Sequence, residues 1–400
     1  MLPGCVDLHT HLASTPTFTP LDDFDHGTAA ALAGGVTTVL SMVYQDGTLA
    51  AGAQRGLHDA LAARADFAFH VVVTDPSEAA TAEIPALARA GHGLKVFMVS
   101  PRFVERRDDY TRMLRAAADA GVTVAVHAED HALVAAATEA LHAAGRDGVA
   151  HFPESRPVEA ERVAVAEAAA IAARSGASLH LVHLSSAAAV TELANGKHQG
   201  AQLFGETRPL YLYLTREQFG RPDAALWVGQ PPLREADDVR AIWTALADGT
   251  LDTVGTDHYP HRRAAKLAPG LAFDKVPPGV ANLETLLPML YSEGVRRGRI
   301  TLERMVQVLA TAPARIAGLL PRKGAIAVGA DADLVVFDPE RTRTIRATEM
   351  HSACDYDPYE GWSVTGCPVI TVLRGAVAFR DGEVVARPGA GRFVPRRFGP

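Results

Sequence analysis

The sequence predicts an α/β fold, a (β/α)8 TIM barrel followed by a small β-sandwich domain. Three observations predict it. Over roughly the first 260 of 400 residues, eight short apolar runs alternate with longer, Ala-rich stretches of helical character. The runs are continuously apolar, as strands of a parallel sheet covered on both faces are. After Lys323 the pattern changes to short strands parted by Gly-containing turns such as Asp381-Gly382, which is all-β character.

Taken in order, the strand-like runs are residues 5–9, 36–43, 67–73, 93–99, 122–127, 178–184, 201–206 and 252–257. Helical stretches at 22–33, 110–120, 159–174 and 236–247 lie between them and make βαβ units. Eight such strands suit a barrel. A doubly wound open sheet usually has fewer, and no GxGxxG opens a helix here. Residues 277–298 and 301–320 read as further helices flanking the barrel. Runs at 325–328, 332–338, 369–373, 376–380 and 383–386 read as the short strands of the β domain. The expected division is 1–322 for the barrel and 323–400 for the β domain and tail.

Composition removes several classes of function. With 39 Lys+Arg against 46 Asp+Glu, the net charge of −7 gives no basic surface for nucleic acid. No Lys/Arg-rich run appears outside the short tail around Arg396-Arg397. Cys5, Cys354 and Cys367 cannot make a disulfide framework and lack metal spacing, which points to a reducing, cytoplasmic setting. There is no apolar run of 18 residues and no signal-peptide pattern, so no membrane partner is expected.

Active sites of such barrels sit at the C-terminal ends of the strands. The first strand ends in His9-Thr10-His11, and alternation puts both imidazoles on one face. Lys95 lies in the fourth strand, His127 ends the fifth, His183 the sixth and Asp257 the eighth. Any one of these alone is more often a hydrogen-bonded core residue than a ligand. Four His, a Lys and an Asp on one rim are hard to obtain from packing alone. His70 and His180, inside strands, read as structural; His258 and His261 could support the site from behind. Lys95 is one of five lysines and sits in Gly93-Leu94-Lys95-Val96-Phe97, where an ammonium would be desolvated and repelled by metal cations. A neutral lysine reacts with CO2 to give a carbamate, a bidentate anion able to bridge two metals. The plainer alternatives are a lysine snorkelling to the rim or paired with Asp257.

These motifs resemble the amidohydrolase superfamily, and within it the cyclic amide hydrolases: dihydropyrimidinase/hydantoinase, allantoinase and dihydroorotase. The resemblance begins at Pro3-Gly4-Cys5-Val6-Asp7-Leu8-His9-Thr10-His11 and runs through Gly34-Gly35-Val36-Thr37-Thr38, Lys95-Val96-Phe97-Met98 and Val126-His127-Ala128-Glu129. It continues in Val182-His183-Leu184-Ser185-Ser186, Pro231-Pro232-Leu233-Arg234, Gly255-Thr256-Asp257-His258 and Asp357-Pro358-Tyr359-Glu360-Gly361-Trp362. It implies two divalent metals, usually zinc. His9, His11 and Asp257 would bind one and His127 and His183 the other. Carbamylated Lys95 and a hydroxide would bridge them. Asp257 would also carry the proton from the attacking hydroxide to the departing nitrogen.

The same resemblance ranks the substrates. Dihydroorotases place an Arg two residues after the HxH pair, where this chain has Ala13, so dihydroorotate is not expected. A hydantoin or dihydropyrimidine ring ranks first, allantoin or another cyclic ureide second. Three residues are candidate substrate contacts. Ser100 stands where hydantoinases have a Tyr that donates to the oxyanion; it is either that position's substitute or a loop residue before Pro101 with no catalytic role, and Tyr110 could stand in. Gln230 replaces a Ser that grips the ring amide, mainly through its backbone. Asn282 lies in a segment that contacts substrate in relatives. Some relatives have lost their ligands and act as interaction scaffolds; all six ligand positions are filled here. Relatives are commonly tetramers, so a homo-oligomer, tetramer or dimer, is implied. In relatives about fifty residues precede the Pro-Gly motif and add strands to the β domain. Those strands are missing here, so either the sequence is truncated at its start or the β domain is built largely by the C-terminal segment, and in the second case an open strand edge is expected.

Overall fold

The computed structural model describes residues 1–15 and 18–398; the last two residues of the expected β domain lie outside the described residues. The chain opens with a two-residue strand, β1 (Leu2–Pro3). Eight strands follow: β2 (Cys5–Thr10), β3 (Val36–Tyr44), β4 (Asp66–Val72), β5 (Gly93–Phe97), β6 (Val124–His127), β7 (Leu179–Leu181), β8 (Leu203–Thr207) and β9 (Thr253–Val254). They form one parallel sheet in chain order, each pairing with the next. All residues of β2, β4, β6 and β7 are buried, which is why the runs are apolar on both faces. β7 and β9 make shorter ladders than expected, because the chain leaves the sheet at His183 (φ 44°) and Asp257 (φ 49°).

The barrel closes between its first and last strands. The His11 amide donates to the His258 carbonyl at 3.0 Å, and Thr10 bridges His258. Asp7 makes this seam with one buried carboxylate. It accepts from the His9 amide at 3.0 Å, the Thr256 amide at 3.1 Å and the Thr256 hydroxyl at 2.5 Å. The seam therefore fixes His9, His11 and Asp257 relative to one another.

Helices cover the outside, and their starts follow from side-chain caps. Asp23 caps Phe24–Ala33, Thr48 caps Leu49–Asp59, Ser77 caps Glu78–Arg89 and Ser186 caps Ala187–His198. The expected helix over 277–298 begins only at Leu286–Leu290 and continues as a π-helical turn, Tyr291–Val295. Two prolines and Gly279 keep the preceding stretch extended (Gly279 φ 127°), and a Cβ on Gly279 would lie 2.2 Å from the Tyr259 carbonyl oxygen. The His258 ring then takes the Asn282 amide at 3.1 Å, so the backbone there is satisfied without a helix.

The remaining strands are β10 (Leu334–Thr344), β11 (Ser363–Leu373), β12 (Ala376–Arg380) and β13 (Glu383–Val384). With β1 they form an antiparallel sheet in the order β1-β10-β11-β12-β13. The N-terminal residues thus do contribute a strand. It pairs only Leu2 with Val335 and Pro3 with Leu334, and beyond Val335 the outer edge of β10 has no strand partner among the described residues. The run at 325–328 is not a strand. It forms a loop closed by the Asp331 amide on the Arg322 carbonyl, with Val328 fully in solvent.

Barrel and sheet are joined by buried charge. Lys323 is fully buried, and its ammonium lies 2.6 Å from Asp66 of β4, 2.6 Å from Asp333 and 2.9 Å from Asp331. Arg374 adds a second cation to Asp66. Removing one partner strands the other buried charges, a cost of about 3–5 kcal/mol. Lys323→Met is therefore expected to lower the unfolding midpoint strongly while the metal content of the folded fraction stays unchanged. The C-terminal tail plugs the barrel floor: the Phe67 amide donates to the Arg392 carbonyl at 3.0 Å, and Arg396 is buried with its Nη1 3.2 Å from His70 Nδ1. The basic pair of the tail, Arg396-Arg397, is thus partly an internal plug. All three cysteines are buried and free. No helix among the described residues is long and apolar enough to cross a membrane.

Candidate metal centre and substrate cavity

The strand ends bring the six singled-out residues into one place. His9 Nε2 lies 3.4 Å and His11 Nε2 3.2 Å from Asp257 Oδ1. The His183 ring is 5.4 Å from that of His9 and 4.5 Å from that of His127. His9, His11 and Asp257 each offer a ligand atom within 4.8 Å of the others. A cavity of about 160 Å³ opens above them, lined by His9, His11, His127, His183 and Asp257. Its remaining wall includes Tyr44, Phe97, Gln230, Tyr259 and Gly279.

Lys95 lies under this cavity with no exposed surface. Among the described residues its Nζ has no hydrogen-bond partner and no ion pair; the Phe97 ring centroid is 4.9 Å away. Both plainer readings fail on that observation, since a snorkelling lysine reaches water and a paired one shows its partner. Burial pulls its pKa down to about 7, against the opposing pull of Asp257 and Glu206. Burial likewise holds His9, His127 and His183 below the usual imidazole value. At neutral pH these rings are therefore uncharged and can offer lone pairs.

Carboxylates behind the rings decide which nitrogen faces the cavity. His9 Nδ1 is 3.0 Å from Glu206 Oε1, leaving Nε2 forward. His127 Nε2 is 2.7 Å from Glu129 Oε2, leaving Nδ1 forward. Glu129 is buried too, and Arg156 Nε donates to it at 3.0 Å; burial pushes its carboxyl up, but Arg156 and His127 outweigh this and hold it ionised. Such partners usually contribute about 10–100-fold to metal affinity. Glu206→Ala is expected to weaken metal retention by about that factor, read by competition with a chelator. Unchanged retention would show that the carboxylate does not orient His9.

Asp257 has a partner of its own. Arg208, fully buried just past β8, donates through Nη1 to Asp257 Oδ2. Burial raises the Asp257 carboxyl, but Arg208 and then His11 outweigh it and bring it below the ordinary value. Oδ1 is left to the histidines. Both His183 and Asp257 adopt the left-handed region that side chains avoid. Among the described residues the other two such non-glycine residues, Arg374 and Asp381, precede glycine in hairpin turns. Strain of this kind is retained where a side chain must be aimed.

The expected substrate contacts separate. Gln230 lines the cavity. Ser100 does not: its hydroxyl accepts from the Arg102 amide at 3.3 Å, capping a short helix beside a second, adjoining cavity of about 540 Å³. Tyr110 also lines that second cavity, and its hydroxyl donates to the Val73 carbonyl at 3.2 Å. Asn282 is buried outside the site, its amide donating to the Thr256 carbonyl at 3.3 Å and accepting from Tyr359 at 3.3 Å. His258 pairs with Asp22 at 2.8 Å behind Asp257, and His261 contacts the Pro278 carbonyl at 3.0 Å. Sequence reasoning gave no role to Tyr44, Glu206 or Arg208. For the last two the signal existed: opposite charges flank Thr207 at the end of an apolar strand, as anomalous there as Lys95 is in its own. A second carboxylate cluster, Asp66, Asp331 and Asp333, already holds the Lys323 ammonium.

Comparison with known proteins places these features. Residues 1–378 match the model of the amidohydrolase family. The chain is 37% identical to D-hydantoinase of Geobacillus stearothermophilus over 411 residues, which is 99% of this chain and 86% of the relative. Among solved structures it resembles D-hydantoinase from a Bacillus species, AR9, with a TM-score of 0.95 and 35% identity over 99% of this chain and 90% of that one. It resembles dihydropyrimidinase from Brevibacillus agri with a TM-score of 0.94 and 35% identity over 99% and 88%.

Proposed function

The chain belongs to the amidohydrolase family, and on that premise we propose that it opens a hydantoin or dihydropyrimidine ring by hydrolysing a cyclic amide C–N bond. It is a metal-dependent hydrolase of cyclic amides. The observation that carries the reading is the convergence of four imidazoles and one carboxylate over a buried lysine without a counter-ion.

The donor set fits two divalent metals. His9, His11 and Asp257 would hold one, His127 and His183 the other, and Lys95 as a carbamate would lie between them. Mixed imidazole and carboxylate donors suit zinc, which is the metal we assign. Such metals, when bound, supply a Lewis acid for the scissile carbonyl and make a water acidic enough to attack near neutral pH.

The chain's own residues do the rest. Asp257 Oδ1 faces the cavity while Arg208 holds Oδ2, so the carboxylate is fixed and ionised. It accepts the proton lost by the attacking water and returns it to the ring nitrogen as the C–N bond breaks, leaving a carboxylate and a free amide or ureido nitrogen. Gln230 lies at the cavity wall, where it can hold the ring amide.

The test is a zinc-reconstituted ring-opening assay on dihydrouracil, 5-substituted hydantoins, allantoin and dihydroorotate, with metal analysis of the same protein. Opening of hydantoins or dihydrouracil is expected. Opening of allantoin alone would move the substrate class. No opening by metal-replete protein would overturn the reading.

A further inference from the structure

The oxygen of an amide carbonyl gains charge as water adds, and amide hydrolases meet that charge with a donor aimed at it. Ser100 and Tyr110 do not supply one, since they line the adjoining cavity, where Ser100 caps a helix and Tyr110 is bonded to Val73. Two other tyrosines line the wall above the ligands, Tyr44 and Tyr259, and neither hydroxyl makes a hydrogen bond with the described residues. Tyr259 is held as a wall, its ring 5.1 Å from that of His11 and 4.8 Å from that of His261.

Tyr44 is different. It ends β3, next to the strand that carries His9, and its side chain lines both the metal cavity and the adjoining one. Its backbone is clamped. The Arg55 guanidinium donates to the Tyr44 carbonyl at 2.7 Å, and a Cβ on Gly52 would come within 2.4 Å of that oxygen, so the helix can pack there only with glycine. A phenol is thus fixed at the cavity with its donor unused. Burial pushes its phenol above the usual value.

We propose that the Tyr44 hydroxyl donates a hydrogen bond to the carbonyl oxygen of the scissile amide, which makes Tyr44 a catalytic residue; this rests on the cyclic-amide reading above. The bond strengthens as the carbon becomes tetrahedral and relaxes when the C–N bond breaks, with no net proton transfer from the phenol. It differs from ground-state binding in what it does to kinetics: it lowers the barrier more than it tightens substrate.

The experiment compares wild type, Tyr44→Phe and Tyr259→Phe as zinc-reconstituted proteins on whichever ring the wild type opens. Metal content and unfolding midpoint are measured alongside. Tyr44→Phe is expected to lose about 10²-fold in kcat with KM changed by less than about threefold, at unchanged metal content. Wild-type kcat in Tyr44→Phe would overturn the proposal. So would a large loss confined to Tyr259→Phe, or a loss in Tyr44→Phe accompanied by loss of metal. If the wild type opens no ring, it is the functional reading that fails, and the two failures are told apart by that first lane.

Discussion

Lys95→Ala is expected to purify with less than about one metal per chain and to lose turnover almost completely, because it removes the group between the two sets of imidazoles. The fold should survive, since Lys95 makes no hydrogen bond or ion pair that the change would break. Removing a buried ammonium that lacks a counter-ion should even relieve strain in the metal-free protein. Short carboxylic acids such as acetate or propionate fill the space of a lysine carbamate, so they should restore part of both metal content and activity. Full occupancy and turnover in the variant without rescue would contradict the bridging role. The wild type offers a second check. With the Lys95 pKa near 7, the reactive free amine grows as pH rises through neutrality. Reactivation of metal-free protein by zinc and bicarbonate should therefore be more complete at about pH 8 than at about pH 6. The opposite trend would mean that the lysine is not the group being modified.

The pattern of continuous apolar runs placed all eight barrel strands, because burial on both faces leaves a signature that survives in one sequence. The histidines, Lys95 and Asp257 were legible for the complementary reason: each is polar where that signature demands apolar. What stayed hidden depends on contacts between distant segments. Asp22 and His258 are 236 residues apart and pair at 2.8 Å, and nothing local foretells it. The irregular stretch before Leu286 follows from the same pairing, since the other nitrogen of that ring takes the Asn282 amide that a helix would have used. Ser100 shows the limit of reasoning by position. It stands at the expected distance from Lys95, yet it serves the helix that starts at Pro101. Tyr44 was invisible because a tyrosine at the end of an apolar strand is ordinary, and only the fold brings it to the wall of the cavity that the histidines line.

Asp257→Asn is expected to lower kcat by at least about 10⁴-fold, since one carboxylate serves both proton transfers and each is typically worth about 10²–10⁴. The substitution keeps size and shape. An amide oxygen can still accept from Arg208 Nη1, so the buried guanidinium keeps a partner and gross unfolding is not expected. What is lost is charge and the capacity to take and return a proton. Because Asp257 also faces His9 and His11, a fall in activity could arise from a lost ligand alone. The two causes separate on zinc titration. If Asp257 only holds metal, saturating zinc should restore turnover in the variant. If it carries the proton, turnover should stay down at full occupancy with KM changed little, while a ring whose nitrogen leaves without protonation should recover much of the rate. Wild-type-like activity in Asp257→Asn on ordinary substrates would remove the proton role, and recovery by zinc alone would reduce Asp257 to a ligand.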